Sequence, residues 1–239
     1  PNDAIYKVMY GNWLLQKGKK EEAYGMLSAA LKDDPDNEAA QSSMYDYYRS
    51  TGQDSLAIIA RDGILMNRKT SSTTKISMLN QLIKESESAG GDSTAILALL
   101  DKVIKSDKPD ADIASLKAAY MELKKMPEDS VNNAFRYVLS IAPENTYATK
   151  KLIESYWNRQ RWDDIVSLCS QSVLYNPEDM TLYYFMGLAY FQKDDDDNAL
   201  DALKRGVSEI NDESDPAIVS DFYAIMGDIL YKKGKPEEA

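Results

Sequence analysis

Histidine is absent from this 239-residue chain. That removes the commonest general acid/base at neutral pH and the commonest ligand for zinc, copper or iron, and with them the Ser-His-Asp and Cys-His nucleophile schemes. A non-enzymatic role without cofactor or metal is the expectation. Cysteine occurs once, at 169, so no intramolecular disulfide staples the fold. A lone thiol is compatible with a reducing cytosol or with an export compartment. No apolar run approaches the roughly 18 residues needed to cross a bilayer, and no basic and apolar leader opens the chain. Positive charge is scarce: 28 Lys and Arg stand against 39 Asp and Glu, a formal net charge of −11 with a pI near 4.6. Phosphate backbones are repelled by such a chain on average, so nucleic acid is not an expected partner. The remaining composition, 44% hydrophobic and 28% charged, is that of a folded globular chain.

What the chain does have is internal repetition. "WLLQKGKKEEA" (13–23) and "ILYKKGKPEEA" (229–239) agree at seven of eleven positions across a separation of 216 residues. Between them the same small and turn-forming residues recur. Gly18 and Gly52, and Ala23 and Ala57, are each 34 apart, and Pro109, Pro143 and Pro177 are spaced by 34 and 34. Tyr183, Gly187, Tyr190, Ala199, Leu203 and Gly206 continue the series, with Tyr223, Gly227 and Ala239 forty residues after Tyr183, Gly187 and Ala199. A period of this length points to stacked supersecondary units.

These residues resemble the tetratricopeptide repeat, with Gly or Ala at position 8, Tyr at 11, Ala at 20, an apolar residue at 24 and Pro at 32. Position 8 is Gly11, Gly187 and Gly227; position 11 is Tyr48, Tyr156 and Tyr190; position 20 is Ala23, Ala57, Ala95, Ala199 and Ala239. The resemblance covers nearly the whole chain, as one domain over 1–239. Its repeats fall at 4–37, 38–71, 72–111, 112–145, 146–179, 180–219 and a truncated 220–239. It implies an all-α fold: a right-handed superhelical solenoid of stacked antiparallel helix pairs, with about six full repeats and a partial seventh. Small residues at 8 and 20 let paired helices approach closely, a glycine near 15 turns the chain, and proline ends the second helix. Two repeats run to 40 residues. In the third the excess is expected to lengthen the first helix by about one turn before "SAGGDST". In the sixth it is expected in the loop "NDESDP". In the middle repeats position 8 is Tyr45, Leu79, Ala119 and Ile153, of which Ala119 alone keeps the pattern.

Four features invite a chemical reading and have a plainer one. "DDDD" (194–197) fails as a hand-type calcium loop, because Ala199 and Arg205 stand where glycine and glutamate belong. It reads as a solvated turn that caps the following helix. "STTK" (72–75) and "YGN" (10–12) mimic penicillin-binding motifs in the wrong order with no K-T-G following, and Ser72 reads as a helix start. Cys169, at an inward position of a second helix, reads as a buried small apolar residue. Trp162 reads as a packing residue.

The family resemblance implies that positions 2, 5, 9, 12 and 13 of each first helix line a concave groove. In the fifth repeat these are Tyr147, Lys150, Glu154, Trp157 and Asn158. In the sixth they include Thr181, Tyr184, Leu188 and Phe191, and in the seventh Asp228. Aromatic residues with interspersed charge have the composition of an interface core. The alternative is that Leu188 and Phe191 pack between helices. The family's clamp for acidic C-termini is missing, since Ile5, Val8, Asn12, Ala39, Ser43 and Asp46 occupy its positions. The expected function is therefore a scaffold that binds a protein or peptide, basic or apolar in character given the acidic balance. Two alternatives stay open: a spacer or assembly platform within a longer protein, and a carbohydrate binder as in helical-repeat starch-binding lipoproteins. Because the seventh repeat stops at the start of its second helix, the chain is expected to be part of a longer protein, and its C-terminal end is open to self-association.

Overall fold

A computed structural model describes residues 4–91, 93–106, 108–212, 214–235 and 237. Among the described residues there are thirteen α-helices and no strand. Helices that open a repeat are α1 (Ala4–Gln16), α3 (Glu38–Ser50), α5 (Ser72–Ser88), α7 (Ala111–Leu123), α9 (Thr146–Asn158), α11 (Met180–Gln192) and α13 (Pro216–Lys232). Helices that close one are α2 (Lys20–Asp33), α4 (Asp54–Met66), α6 (Ser93–Ser106), α8 (Glu128–Ile141), α10 (Trp162–Ser172) and α12 (Asp196–Ser208). The chain divides within α7 into two compact units, residues 1–117 and 118–239.

The two kinds of helix start differently, and the sequence says why. The first helices α3, α5, α9, α11 and α13 are capped by side chains. Asn37 and Asn145 accept from Ala40 N–H and Ala148 N–H, both at 2.9 Å. Asp179 accepts from Thr181 N–H at 3.0 Å, and Asp215 from Ala217 N–H at 2.8 Å. Each of these satisfies one of the four amides that a helix start leaves without an internal partner. Most second helices have no such cap; Lys19, Gln53, Pro127 and Arg161 precede them without a side-chain bond. Their start is set instead by the end of the preceding helix. All seven first helices close with the same paired bonds, Lys19 N–H to Leu14 O and Gly18 N–H to Leu15 O (both 3.0 Å) being the first instance and Lys235 N–H to Leu230 O with Gly234 N–H to Tyr231 O the last. That closure needs a left-handed residue. Gly18, Gly52, Gly90 and Gly234 supply it, while Lys125, Gln160 and Asp194 adopt positive φ without being glycine.

In the first unit, Val8 of α1, Ala30 of α2 and Ala40 of α3 pack together, and Leu27 packs with Met44 and Tyr47. In the second, Met180 of α11, Ala199 and Leu203 of α12, and Phe222 and Ile229 of α13 form one buried cluster. α5 has 17 residues where most first helices have 13, the extra turn expected from its repeat. α13 also has 17, because Pro216 occupies its first turn behind the Asp215 cap. Its start therefore precedes the expected 220, and the end of "NDESDP" is helical. Ala239 lies outside the described residues.

Candidate interaction groove

α9 presents residues at intervals of three and four along one face: Lys150, Ile153, Glu154, Trp157 and Asn158. Across from them, Thr181 and Phe185 occupy successive turns of α11. Together these seven residues line a cleft of about 350 Å³. Its apolar part is Ile153, Trp157 and Phe185. The Trp157 ring meets Phe185 edge-on at 6.1 Å and Trp162 edge-on at 5.0 Å, so it is held from both sides and half-buried. Lys150, Glu154 and Asn158 are exposed at the rim.

A second cleft, about 200 Å³, lies on the other side of α9 and shares Glu154 and Asn158 with the first. Its remaining lining comes from Glu122 and Met126, from Glu128, Val131, Asn132 and Phe135 of α8, and from Lys151 and Ser155. Three carboxylates surround one lysine there. Lys151 pairs with Glu122 at 2.9 Å and with Glu154 at 3.5 Å. The hydrogen bond to Glu122 holds its ammonium above the usual lysine range. Asn132, buried, donates to Ser155 Oγ at 2.7 Å, and Ser155 donates to Glu128.

Tyr147 is exposed at the start of α9, with its ring edge-on to Phe135 at 5.8 Å and Lys151 Nζ 6.0 Å from its centroid. It lines neither cleft. Three residues expected in the groove from α11 also fall outside both clefts. Tyr184 tilts against Phe222 at 5.4 Å and donates its hydroxyl to Asp221 at 3.0 Å. Burial, then the Asp221 carboxylate, push the phenol up to about 12. Phe191 packs on the cluster around Phe222 and Ile229. Leu188 is half-buried, and Asp228 is exposed on α13. Neither Ile153, noted from sequence only for its size at position 8, nor Phe185 is among the residues expected in the groove. A signal existed for each: Ile153 is large where position 8 is usually small, and Phe185 follows Thr181 by four residues.

Elsewhere, Cys169 is fully buried in α10, and burial pushes its thiol up to about 12. In the acidic run, Asp194 makes the left-handed turn and Asp195 caps α12 through Asn198. Asp194 and Asp196 accept from Lys232, and Asp197 from Lys233. Among the described residues, no group of three His, Cys, Asp or Glu could hold a metal ion, and no helix is long and apolar enough to cross a membrane.

The contact between positions 8 and 24 recurs in the first and sixth repeats. A Cβ built on Gly11 would lie 2.9 Å from Leu27, and one on Gly187 would lie 2.6 Å from Leu203. The chain is thus an all-α array of helix pairs. No protein-family model matches the chain, and no curated protein does. Solved structures similar to it include MamA residues 41 to the end from Desulfovibrio magneticus RS-1, at 15% identity and a TM-score of 0.47, covering 68% of this chain and 87% of that one. YrrB, described as a tetratricopeptide-repeat protein with an unusual peptide-binding site, matches at 14% identity and a TM-score of 0.39 over 89% of each chain. Cut9, in the Cut9–Hcn1 hetero-tetramer, matches at 15% identity and a TM-score of 0.43, over 96% of this chain and 43% of that one.

Proposed function

We propose that the chain is a non-enzymatic scaffold that binds a segment of another protein across the α9 face. The observation that carries the reading is the pair of clefts sharing Glu154 and Asn158, one floored by Ile153, Trp157 and Phe185, the other edged by Glu122, Glu128 and Glu154. An apolar cleft beside an acidic one suits an extended segment with a large apolar side chain next to a lysine or arginine. The net charge of −11 favours encounter with such a basic segment. The tetratricopeptide architecture supports binding only as an analogy of fold.

The test is a selection of peptides from a random displayed library on the folded chain, followed by affinity measurement against three variants. Trp157→Ala and Phe185→Ala should each weaken the selected peptides by ~30-fold, about 2 kcal/mol for an anchor in a desolvated pocket. Glu154→Lys, at an exposed position, should weaken basic peptides and spare uncharged ones. Circular dichroism establishes that each variant is folded. Peptides that bind all three variants as tightly as the parent chain would remove the α9 face from consideration.

A further inference from the structure

A cleft of about 390 Å³ lies in the first unit, walled by α2, α3 and α4. From α4 it receives Leu56, Ile59, Ala60 and Gly63, residues spaced so that they share one helix face. Met44 and Tyr48 of α3 and Leu31 of α2 complete its apolar lining. Among the described residues, that lining holds no charged side chain. Leu56 and Ile59 are 41% and 67% exposed, and a Cβ built on Gly63 would meet no atom within 4 Å. The apolar wall therefore stands open, with room above it.

Three repeats further along, the second unit has a cleft of about 410 Å³ at the same repeat positions. Leu139, Leu152 and Tyr156 answer to Leu31, Met44 and Tyr48, but the α10 wall reads Asp164, Ser167, Leu168 and Gln171. Polar groups thus stand where the first unit has Leu56, Ile59 and Gly63. The clefts differ again at one polar residue. Thr149 has the repeat position of Gln41, and its hydroxyl donates to the Asn145 carbonyl at 3.1 Å. Gln41 lines the first cleft and donates Nε2 to the Pro35 carbonyl at 2.7 Å, which leaves Oε1 buried with no hydrogen-bond partner. Buried acceptors ordinarily have one. The Tyr48 hydroxyl is already hydrogen-bonded to Tyr24. A buried water is held by about two to four polar partners, more than one orphan oxygen among aliphatic side chains supplies.

We propose that this cleft binds a small uncharged aromatic molecule carrying one N–H or O–H donor, with its ring against Met44, Ile59 and the open face at Gly63 and its donor on Gln41 Oε1. The volume falls within the range of ligand pockets, about 300–1,000 Å³, which are mostly apolar with a few placed polar groups. Met44 and Tyr48 favour an aromatic ring over an aliphatic chain. An anion finds no donor there, and a cation would exchange its hydration for a single neutral oxygen, so a neutral donor is the class that fits. The site is separate from the α9 face and stands or falls independently of it.

The experiment is a titration of the chain with indole and with indene, followed through the backbone amide and glutamine side-chain NMR signals. The two molecules share size and shape and differ in the N–H. Saturable shifts at Gln41, Ile59 and Gly63 are expected, with indole about tenfold tighter than indene, the difference due to one hydrogen bond to a buried acceptor. Gln41→Met removes the acceptor at similar volume and should make the two affinities equal. Gly63→Gln copies the second unit at an exposed position with space for the side chain, and should weaken both ligands by about tenfold or more by filling the cleft. Trp157→Ala should change neither. Four results would each overturn the proposal: no saturable shift in the first unit with either molecule, equal affinities in the parent chain, an indole preference that survives Gln41→Met, or binding that Trp157→Ala abolishes and Gly63→Gln spares.

Discussion

Replacing Gly187 with alanine sets two effects of opposite sign against each other. Inside a helix the change gains about 1 kcal/mol of propensity. At 187, however, the new Cβ would lie 2.6 Å from Leu203 Cγ, 2.7 Å from its Cδ2 and 3.4 Å from the Ala199 carbonyl oxygen. Carbon atoms pack best at about 3.5–4.0 Å, so Leu203 would have to retreat by about 1 Å. It has nowhere to go, being fully buried in the cluster with Phe222 and Ile229. Overpacking of this kind costs about 1–3 kcal/mol, and the severity of the contact places it at the upper end. The net expectation is a loss of about 1–2 kcal/mol. Gly25 in α2 and Gly63 in α4 have no atom within 4 Å of an added Cβ, so alanine there keeps the whole gain of about 1 kcal/mol. Urea unfolding followed by far-ultraviolet circular dichroism separates the cases. With a slope of about 2 kcal/mol/M, the midpoint of Gly187→Ala should fall by ~0.5–1 M and those of the two controls should rise by ~0.5 M. A Gly187→Ala midpoint as high as that of Gly25→Ala would refute the close approach of α11 and α12.

Three further outcomes follow from the geometry. Gln160 holds a left-handed conformation at φ 54°, and Gln160→Gly should stabilise the chain by about 1 kcal/mol in the same unfolding assay. Cys169 should resist a water-soluble thiol reagent in the native chain and react only on unfolding. Burial, with a lesser contribution from Asp179, raises its thiol to about 12, so the native state keeps the proton while the unfolded chain loses it from about pH 9 upward. Its contribution to stability is therefore complete at neutral pH and is lost as pH climbs towards 12. The difference in midpoint between the parent and Cys169→Ala should shrink across that window. Finally, Arg159→Glu replaces attraction to Glu128 and Asp129 (2.8 and 2.7 Å) with repulsion. It should lower the midpoint more in dilute buffer than in 1 M salt, where screening acts over about 3 Å; equal effects at both salt concentrations would refute an electrostatic origin.

The fold was legible because its repeats depend on local, periodic chemistry. Small and turn residues at fixed spacing, with Pro35, Pro143 and Pro177 ahead of the starts at 38, 146 and 180, give repeat bounds that coincide with helix starts at 4, 38, 72, 146 and 180. The reading lost accuracy at "NDESDP", where polar composition suggested loop and Asp215 with Pro216 instead begins a helix. On α9, Lys150, Glu154, Trp157 and Asn158 are expected in a groove from what the tetratricopeptide resemblance implies, and their spacing on one helix face brings them into a single cleft. α11 offers no such guide. Its sequence, MTLYYFMGLAYFQ, is apolar on every side, so its period does not tell which aromatics meet solvent. What assigns them is the next helix: Phe222 of α13 draws Tyr184 into the packed cluster, and Phe185 is left to face Trp157.

Along the second unit, the basic residue that ends one repeat's first helix reaches the acidic start of the preceding repeat's second helix. Arg159 meets Glu128 and Asp129, Lys193 meets Asp163, and Lys232 and Lys233 meet Asp194, Asp196 and Asp197. Each link depends only on the adjacent neighbour, and every link has the same polarity. Excising residues 146–179 as a block would bring Lys193 opposite Glu128 and Asp129, a cation again facing carboxylates. Duplicating the block would repeat the pairing once more. Whole repeats can thus be lost or gained by recombination without stranding a charge at the new junction, whereas a deletion out of phase with the repeat would misalign the entire edge.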